Sequence, residues 1–99
     1  MSQIHDARIY WSDAHVARGL PSVDRSIDPA WFVEPGRGSE EGWSLKYEFS
    51  VPPAVQGTPS MARVEFMMPN APHERLRPGV WLEVFERATQ QHARVEILG

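Results

Sequence analysis

The sequence predicts an all-β fold, a small barrel or sandwich of about five or six short strands. Four stretches alternate apolar and polar residues with the period of two that half-buried strands show: residues 43–51, 62–68, 80–86 and 93–98. Proline and glycine clusters separate these stretches, as turns do. We therefore expect one domain over residues 1–99, because a chain of this length supports a single hydrophobic core.

The first part of the chain holds one strand signal and a long polar stretch. Residues 4–11 form the predicted first strand. Its shared face carries Ala7, Ile9 and Trp11. Residues 12–29 are predicted to be a loop. Within this loop, residues 12–19 fit either a helical turn capped by Ser12 or Asp13 or a plain loop, and the sequence leaves both open.

The longest alternation lies in the middle of the chain. Residues 30–33 are apolar and fit a brief strand, and residues 34–42 are glycine-rich and predict a loop. Residues 43–51 then place five apolar side chains on one face, which we assign to the core. They are Trp43, Leu45, Tyr47, Phe49 and Val51. A pair of prolines ends this strand, and residues 52–60 are a predicted loop.

The C-terminal part reads as strand, long connection, strand, tight loop and strand. Residues 61–68 alternate, residues 69–79 form a proline-rich loop, and residues 80–86 and 92–98 form a predicted hairpin. The inward side chains of these strands are Ala62, Val64, Phe66, Met68, Val80, Leu82, Val84, Ala93, Val95 and Ile97. The outward side chains include Trp81, Glu83, Phe85, Arg94 and Glu96.

This C-terminal part resembles the C-terminal β-barrel domain of translation elongation factor Tu. The similarity is carried by Ala62-Arg-Val-Glu-Phe66, Ala71-Pro-His73, Leu76-Arg-Pro-Gly79, Leu82-Glu-Val-Phe-Glu86 and Ala93-Arg-Val-Glu-Ile-Leu98. Shorter similar segments are Ala7-Arg-Ile-Tyr-Trp-Ser12 and Pro29-Ala-Trp-Phe32. The resemblance implies a Greek-key-like β-barrel, of the kind found as small free-standing bacterial proteins made of this domain alone.

The resemblance does not extend to the residues with which that domain binds its partners. In elongation factor Tu the domain contacts the T stem of aminoacyl-tRNA and the nucleotide-exchange factor through two Gly-Gly-Arg segments. At the first of these places, this chain keeps only Arg18 and Gly19, and at the second, residues 87–91 contain no glycine. Because close approach to phosphate needs glycine and charge needs arginine, the resemblance implies the fold and not tRNA binding.

Composition bears on location and on nucleic acid. The net charge is −3 and Lys46 is the single lysine, whereas nucleic-acid binders carry a basic stripe, so composition argues against RNA or DNA. The chain has no cysteine and no apolar run long enough for a membrane helix. Its N-terminus lacks the pattern of a signal peptide. We expect a cytoplasmic protein without membrane contact.

No catalytic or cofactor motif is visible. The four histidines, His5, His15, His73 and His92, show no metal-ligand spacing, and we expect no metal and no cofactor. His73 is expected to hydrogen-bond the backbone of the long connection. There is no Gly-x-Ser-x-Gly motif, and Pro35-Gly-Arg-Gly38 lacks the Lys-Ser/Thr of a phosphate loop. A non-enzymatic protein is the first prediction; an enzyme with an unrecognised site is the third.

The outward side of residues 80–86 is the candidate contact surface. Trp81 and Phe85 flank Glu83 there, and an exposed Trp and Phe pair suggests that another protein, or a second copy in a homodimer, binds at this place. Glu83 is expected to stay solvated or to pair with an arginine such as Arg94. The alternative is that residues 12–42 cover the two rings, and the sequence leaves both possibilities open.

The second function hypothesis is an RNA- or tRNA-binding module associated with translation. It would use arginines from four places in the chain. They are Arg18, Arg75, Arg77 and Arg87. Arginines in loops are more often solvated charges than ligands, so this hypothesis ranks below protein binding.

Overall fold

The computed structural model describes residues 4–33, 42–86 and 91–99, without the side chains of Glu86, Gln91 and His92. The strands of this part are β1 (His5–Trp11), β2 (Arg25–Phe32), β3 (Trp43–Glu48), β4 (Ser60–Phe66), β5 (Trp81–Glu86) and β6 (Gln91–Ile97). The helices are α1 (Asp13–Arg18), α2 (Pro53–Gln56) and the 3-10 turn η1 (His73–Arg75). None of the described helices combines the length and apolarity that a membrane crossing would need.

The strands close into one antiparallel barrel. Their order around the barrel is β1-β4-β3-β2-β5-β6, and β6 pairs with β1. Strands β2, β3 and β4 follow one another as neighbours, and β1 lies beside β4, which is a Greek-key arrangement. Closure pairs both sides of every strand, so the barrel has no open edge. The predicted all-β Greek-key-like barrel is therefore confirmed.

The barrel interior is filled by the inward side chains of all six strands. The buried set is Ala7, Ile9, Ala30, Leu45, Tyr47, Phe49, Ala62, Val64, Phe66, Ala71, Leu76, Leu82, Val84, Ala93, Val95 and Ile97. Trp11, Phe32, Trp43 and Val80 pack against it from the rims. The inward faces predicted by alternation are thus correct along β1, β3, β4, β5 and β6.

Two residues assigned to inward faces are not buried. Val51 is 41% exposed and Met68 is 48% exposed. β3 ends at Glu48 and β4 ends at Phe66, so both residues lie beyond a strand end. Alternation places a side chain only while the backbone stays extended, and this explains both errors.

Part of the predicted loop 12–29 is regular structure. Ser12 caps α1, since its Oγ accepts a hydrogen bond from the backbone N–H of His15 at 3.3 Å. β2 begins at Arg25, earlier than the brief strand predicted at 30–33. The turn-forming pair Asp28-Pro29 lies inside this strand, opposite Leu45 and Ser44. The inward Asp28 is accommodated because the Tyr47 hydroxyl donates a hydrogen bond to its carboxylate.

The remaining predicted loops also contain short helical turns. Residues 52–60 include α2, and residues 69–79 include η1. Of the predicted loop 34–42, only Gly42 belongs to the described residues. The connection after β4 is fixed by His73, whose Nε2 donates a hydrogen bond to the Met68 carbonyl at 2.9 Å, as expected for this ring.

The barrel has two distinct ends. α1 follows β1 and η1 follows β4, and because β1 and β4 are antiparallel, these two turns lie at opposite ends. The α1 end carries Trp11 and His15, whose rings meet edge to face at 5.2 Å. The η1 end is closed by the connection 67–80, in which Ala71 and Leu76 are buried. We call the end of the barrel that carries α1 the α1 end, and the end that carries η1 the η1 end.

Candidate protein-contact surface

Trp81, Glu83 and Phe85 occupy successive outward positions of β5. The residues between them, Leu82 and Val84, are buried in the core. Trp81 and Phe85 are half-buried, and Glu83 is exposed. The orientation predicted from alternation is therefore the one that the structure has, although neither ring is fully open to solvent.

Tyr10 of β1 packs against Trp81 on the outer surface. Their ring centroids lie 5.5 Å apart at an interplanar angle of 32°. The Tyr10 hydroxyl donates a hydrogen bond to Oε1 of Glu96 at 3.3 Å, and Nη1 of Arg8 lies 3.7 Å from the same oxygen. These contacts hold the Tyr10 ring beside Trp81, so the Trp81 ring has a fixed orientation.

Trp31 of β2 completes a set of outward aromatic side chains. It pairs directly with Glu83, and directly opposed residues of antiparallel strands point to the same side. Its ring packs on the backbone of Gly42, where an added Cβ would lie 2.6 Å from Cε2 of Trp31. Glycine at position 42 therefore allows the Trp31 ring to lie flat on the chain.

We name the outward aromatic side chains of β2, β5 and β1 the aromatic face; β6 lies between β5 and β1. Its members are Tyr10, Trp31, Trp81 and Phe85. Each is half-buried, and they belong to β1, β2 and β5. Sequence reasoning placed Trp81 and Phe85 here but missed Tyr10 and Trp31, because the pairing of β2 with β5 and of β1 with β6 arises only from barrel closure.

Residues 12–42 were the alternative cover for these rings. In the described part of this segment, α1 lies at one end of the barrel, and β2 pairs with β5 as its neighbour in the same sheet. The Val33 N–H donates to the Trp81 carbonyl at 3.0 Å, which continues this pairing. Strand β2 therefore lies beside β5 in the sheet, where it widens the aromatic face. Residues 34–41 lie outside the described part of the chain.

An ion pair lies among the rings of the aromatic face. Nη2 of Arg94 lies 3.7 Å from Oε1 of Glu83, which is the pair expected from the sequence. The two side chains are 66% and 48% exposed, and a pair this exposed stabilises the fold by less than about 1 kcal/mol. Because Glu83 pairs with Trp31 on one side and Arg94 pairs with Tyr10 on the other, the two opposite charges lie between the aromatic side chains.

Of the described arginines of the RNA hypothesis, Arg18 lies apart from Arg75 and Arg77. Arg18 ends α1, whereas Arg75 and Arg77 lie at the opposite end of the barrel, in and just after η1. Arg87 lies outside the described residues. The Arg75 guanidinium carbon is 4.0 Å from the centroid of the Phe32 ring. The three described arginines therefore form no continuous stripe.

A small cavity with apolar and polar lining lies inside the barrel at the α1 end. It has a volume of about 30 Å3, and its lining includes His15, Ser26, Asp28 and Tyr47. This is room for about one water molecule and too little for a substrate. Within the described residues, no group of three or more His, Cys, Asp or Glu side chains is placed to hold a metal ion. We interpret the cavity as part of the packing around Asp28.

Comparison of the chain with models of protein families, with curated proteins and with solved structures finds no match. The resemblance to the elongation factor Tu domain therefore stays a prediction that rests on its sequence motifs.

Proposed function

We propose that this protein is a non-enzymatic β-barrel module that binds another protein through the aromatic face. The observation that carries the proposal is the set of four half-buried outward aromatic side chains on β2, β5 and β1, of which Tyr10 and Trp81 are in contact. Such side chains are enriched among the residues that dominate binding energy at protein interfaces. Folding of the barrel does not require aromatic side chains on the outer wall, because the inward residues already fill the core.

The arrangement of the aromatic face suits the centre of an interface. Stable interfaces have an apolar centre surrounded by a polar rim. Here the Arg8–Glu96 pair lies beside Trp81 and Tyr10, while the Glu83–Arg94 pair lies between the rings, where a partner that covers the rings would also meet these two charges. Tyr10 already fixes the Trp81 ring, so little side-chain entropy would be lost on binding.

The location that goes with this proposal is the cytoplasm. The absence of cysteine supports it, because small domains of oxidising compartments are commonly stapled by disulfides. A partner protein of the same compartment, or a second copy of the chain, would occupy the aromatic face. The separation of Arg18 from Arg75 and Arg77 gives no support to the RNA alternative.

Substitution of Trp81 by alanine tests the proposal. We expect the partner complex, or the homodimer, to weaken by about thirtyfold, the effect of losing a hot-spot side chain of about 2 kcal/mol. The melting temperature should fall only slightly, because Trp81 is half-buried and its loss leaves no core cavity. Sedimentation at several concentrations, affinity capture from native cytoplasm and thermal melts measure these effects.

Met61→Ala is the matched control for this experiment. Met61 is 44% exposed and lies on β4, three strands away from β5 in either direction around the barrel. Its loss should leave association unchanged. Two results together would rule the proposal out. The wild type would be monomeric at every concentration and capture no partner, and Trp81→Ala would have a much lower melting temperature.

A further inference from the structure

A groove adjoins the aromatic face at the η1 end. It has a volume of about 510 Å3, within the range of sites that hold a small ligand or a peptide side chain. Its lining is apolar at Phe32, Val33, Val80 and Trp81 and charged at Glu74, Arg75 and Arg77. Because Trp81 lines the groove and also belongs to the aromatic face, the two features form one continuous surface. We call it the arginine groove.

The floor of the arginine groove is apolar and well supported. Phe32 is half-buried, and its ring meets the buried Phe66 ring edge to face at 5.8 Å. Val80 packs on the core, and Val33 is 45% exposed at the side. A floor anchored in the core stays in place when another side chain packs on it.

Two arginines stand at the rim of this floor. The guanidinium carbon of Arg75 lies over the Phe32 ring, 4.0 Å from its centroid, in a cation–π contact. Arg77 is exposed, and its Nε donates a hydrogen bond to the backbone carbonyl of Glu74 at 3.1 Å. This hydrogen bond holds the Arg77 side chain near the groove and uses only one of its nitrogen atoms.

Arg77 differs from the cationic side chains of the barrel wall because those side chains have carboxylate partners. Each cationic side chain of the described barrel wall has a carboxylate oxygen within 4.0 Å. These cations are Arg8, Arg25, Lys46, Arg63 and Arg94. Among the described residues, no carboxylate pairs with Arg77, and Glu74 contacts it through its backbone carbonyl. Positive charge is thus left beside an apolar groove.

We propose that the arginine groove binds an extended acidic segment of the partner protein. An apolar side chain of that segment would lie on Val33 and Val80 beside Trp81. An Asp or Glu one or two residues away would pair with Arg77. A planar guanidinium matches a carboxylate through two parallel hydrogen bonds. This inference rests on the proposed function, because Trp81 is shared, and it adds the chemistry of the partner.

A peptide fits this site better than a nucleic acid does. A nucleic-acid strand carries a charge at every phosphate and is held by a row of cations. The cations of the described wall are already paired with carboxylates, so no such row leads away from Arg77. The groove instead has two arginines and one carboxylate, Glu74, beside apolar side chains, which matches a single acidic residue that is close to an apolar side chain.

Selection from a phage-displayed library of random peptides tests the proposal. The immobilised full-length protein should enrich peptides that carry an Asp or Glu within two residues of a Leu, Met or aromatic residue. Calorimetry on the enriched peptides should show Arg77→Gln weakening binding by about five- to tenfold, the loss of one partly desolvated charge pair. Arg77 is exposed, so the melting temperature of this variant should match the wild type.

Arg18→Gln is the matched control. It removes the same charge from an arginine that likewise has no carboxylate partner among the described residues, but at the opposite end of the barrel. Peptide binding should be unchanged in this variant. The proposal is overturned by a selection that enriches nothing, by enriched peptides without an acidic residue, or by equal affinities of the wild type and Arg77→Gln.

Two further outcomes separate this inference from the proposed function. If Trp81→Ala abolishes binding of the natural partner and Arg77→Gln leaves it unchanged, the aromatic face is the contact surface and the acidic-segment inference is wrong. A fluorescent single-stranded RNA that the wild type binds and Arg77→Gln does not would also overturn the inference, and would support nucleic-acid recognition at this groove.

Discussion

Trp81 takes part in two features of the outer surface at once. Its ring stacks on Tyr10 within the aromatic face, and it also lines the arginine groove beside Val80. The half-buried Trp81 ring therefore has one side held by Tyr10 and another side that can contact a partner in the groove. A partner that covers this side gains apolar area without having to order the ring first. Trp81 is therefore the residue at which binding and stability can be separated by one substitution.

Phe66 is the residue whose removal tests the core. It is 1% exposed and contacts the rings of Phe32 and His73 at centroid distances of 5.8 and 5.9 Å. We expect Phe66→Ala to lower the free energy of unfolding by about 3–5 kcal/mol, from lost burial and the cavity left behind. Urea denaturation measures this value. Met67→Ala, at an exposed neighbouring position, is the control with a loss below about 0.5 kcal/mol.

A small loss for Phe66→Ala would contradict the register of the barrel. β4 pairs with β3 through Leu45 and Phe66, and with β1 through Ala7 and Ala62. A shift by one residue would turn Phe66 outward and Glu65 inward. A loss below about 1 kcal/mol is what such a shifted register would give.

At the scale of elements, alternation predicted β3, β4, β5 and β6, and these strands lie where the sequence placed them. It failed at β2 because Asp28 and Pro29 favour turns when considered locally. Inside the barrel, the Tyr47 hydroxyl offers Asp28 a hydrogen bond, so a strand is compatible with an inward carboxylate. That partner lies on another strand, and a local pattern contains no information about it.

The candidate site could be predicted from the sequence only where its residues belong to a single strand. Alternation within β5 placed Trp81, Glu83 and Phe85 on one outward face without knowledge of any other strand. Tyr10 and Trp31 joined this face only through the pairing of β1 and β2 with distant segments. Contacts within a strand follow from the sequence, whereas contacts between strands depend on the order in which the barrel closes.

Tyr47→Phe tests the explanation given for β2. The substitution removes the hydroxyl that donates to Asp28 and keeps the buried ring. We expect a loss of about 1–3 kcal/mol in the free energy of unfolding, because the carboxylate loses a donor in a half-buried position. Tyr10→Phe is the control: its hydroxyl bonds Glu96 on the outer surface, and its loss should cost less. Equal effects would mean that Asp28 is well solvated and needs no donor.

At the scale of the whole molecule, barrel closure decides how charge is distributed. The wall cations pair with carboxylates on neighbouring strands or, for Arg25, with the preceding residue, Asp24. Arg18 and Arg77, which have no carboxylate partner among the described residues, lie at opposite ends. The net charge of the chain is −3. On the described part of the barrel, a nucleic-acid strand would meet no basic stripe, and the net charge of the chain would not attract it. A single acidic segment needs only the local charge beside the arginine groove.

The last prediction follows from this distribution. At about 0.15 M salt, we expect the protein to bind tRNA no more tightly than about 1 µM, the range of non-specific association. Gel-shift titration with labelled tRNA, repeated at several salt concentrations, measures the affinity and the number of phosphates neutralised. The variant carrying Arg75→Ala and Arg77→Ala is the comparison. A sub-micromolar complex that this variant weakens, with steep salt dependence, would mean that one end of the barrel binds phosphate despite the acidic chain, and would replace protein binding by RNA binding as the function.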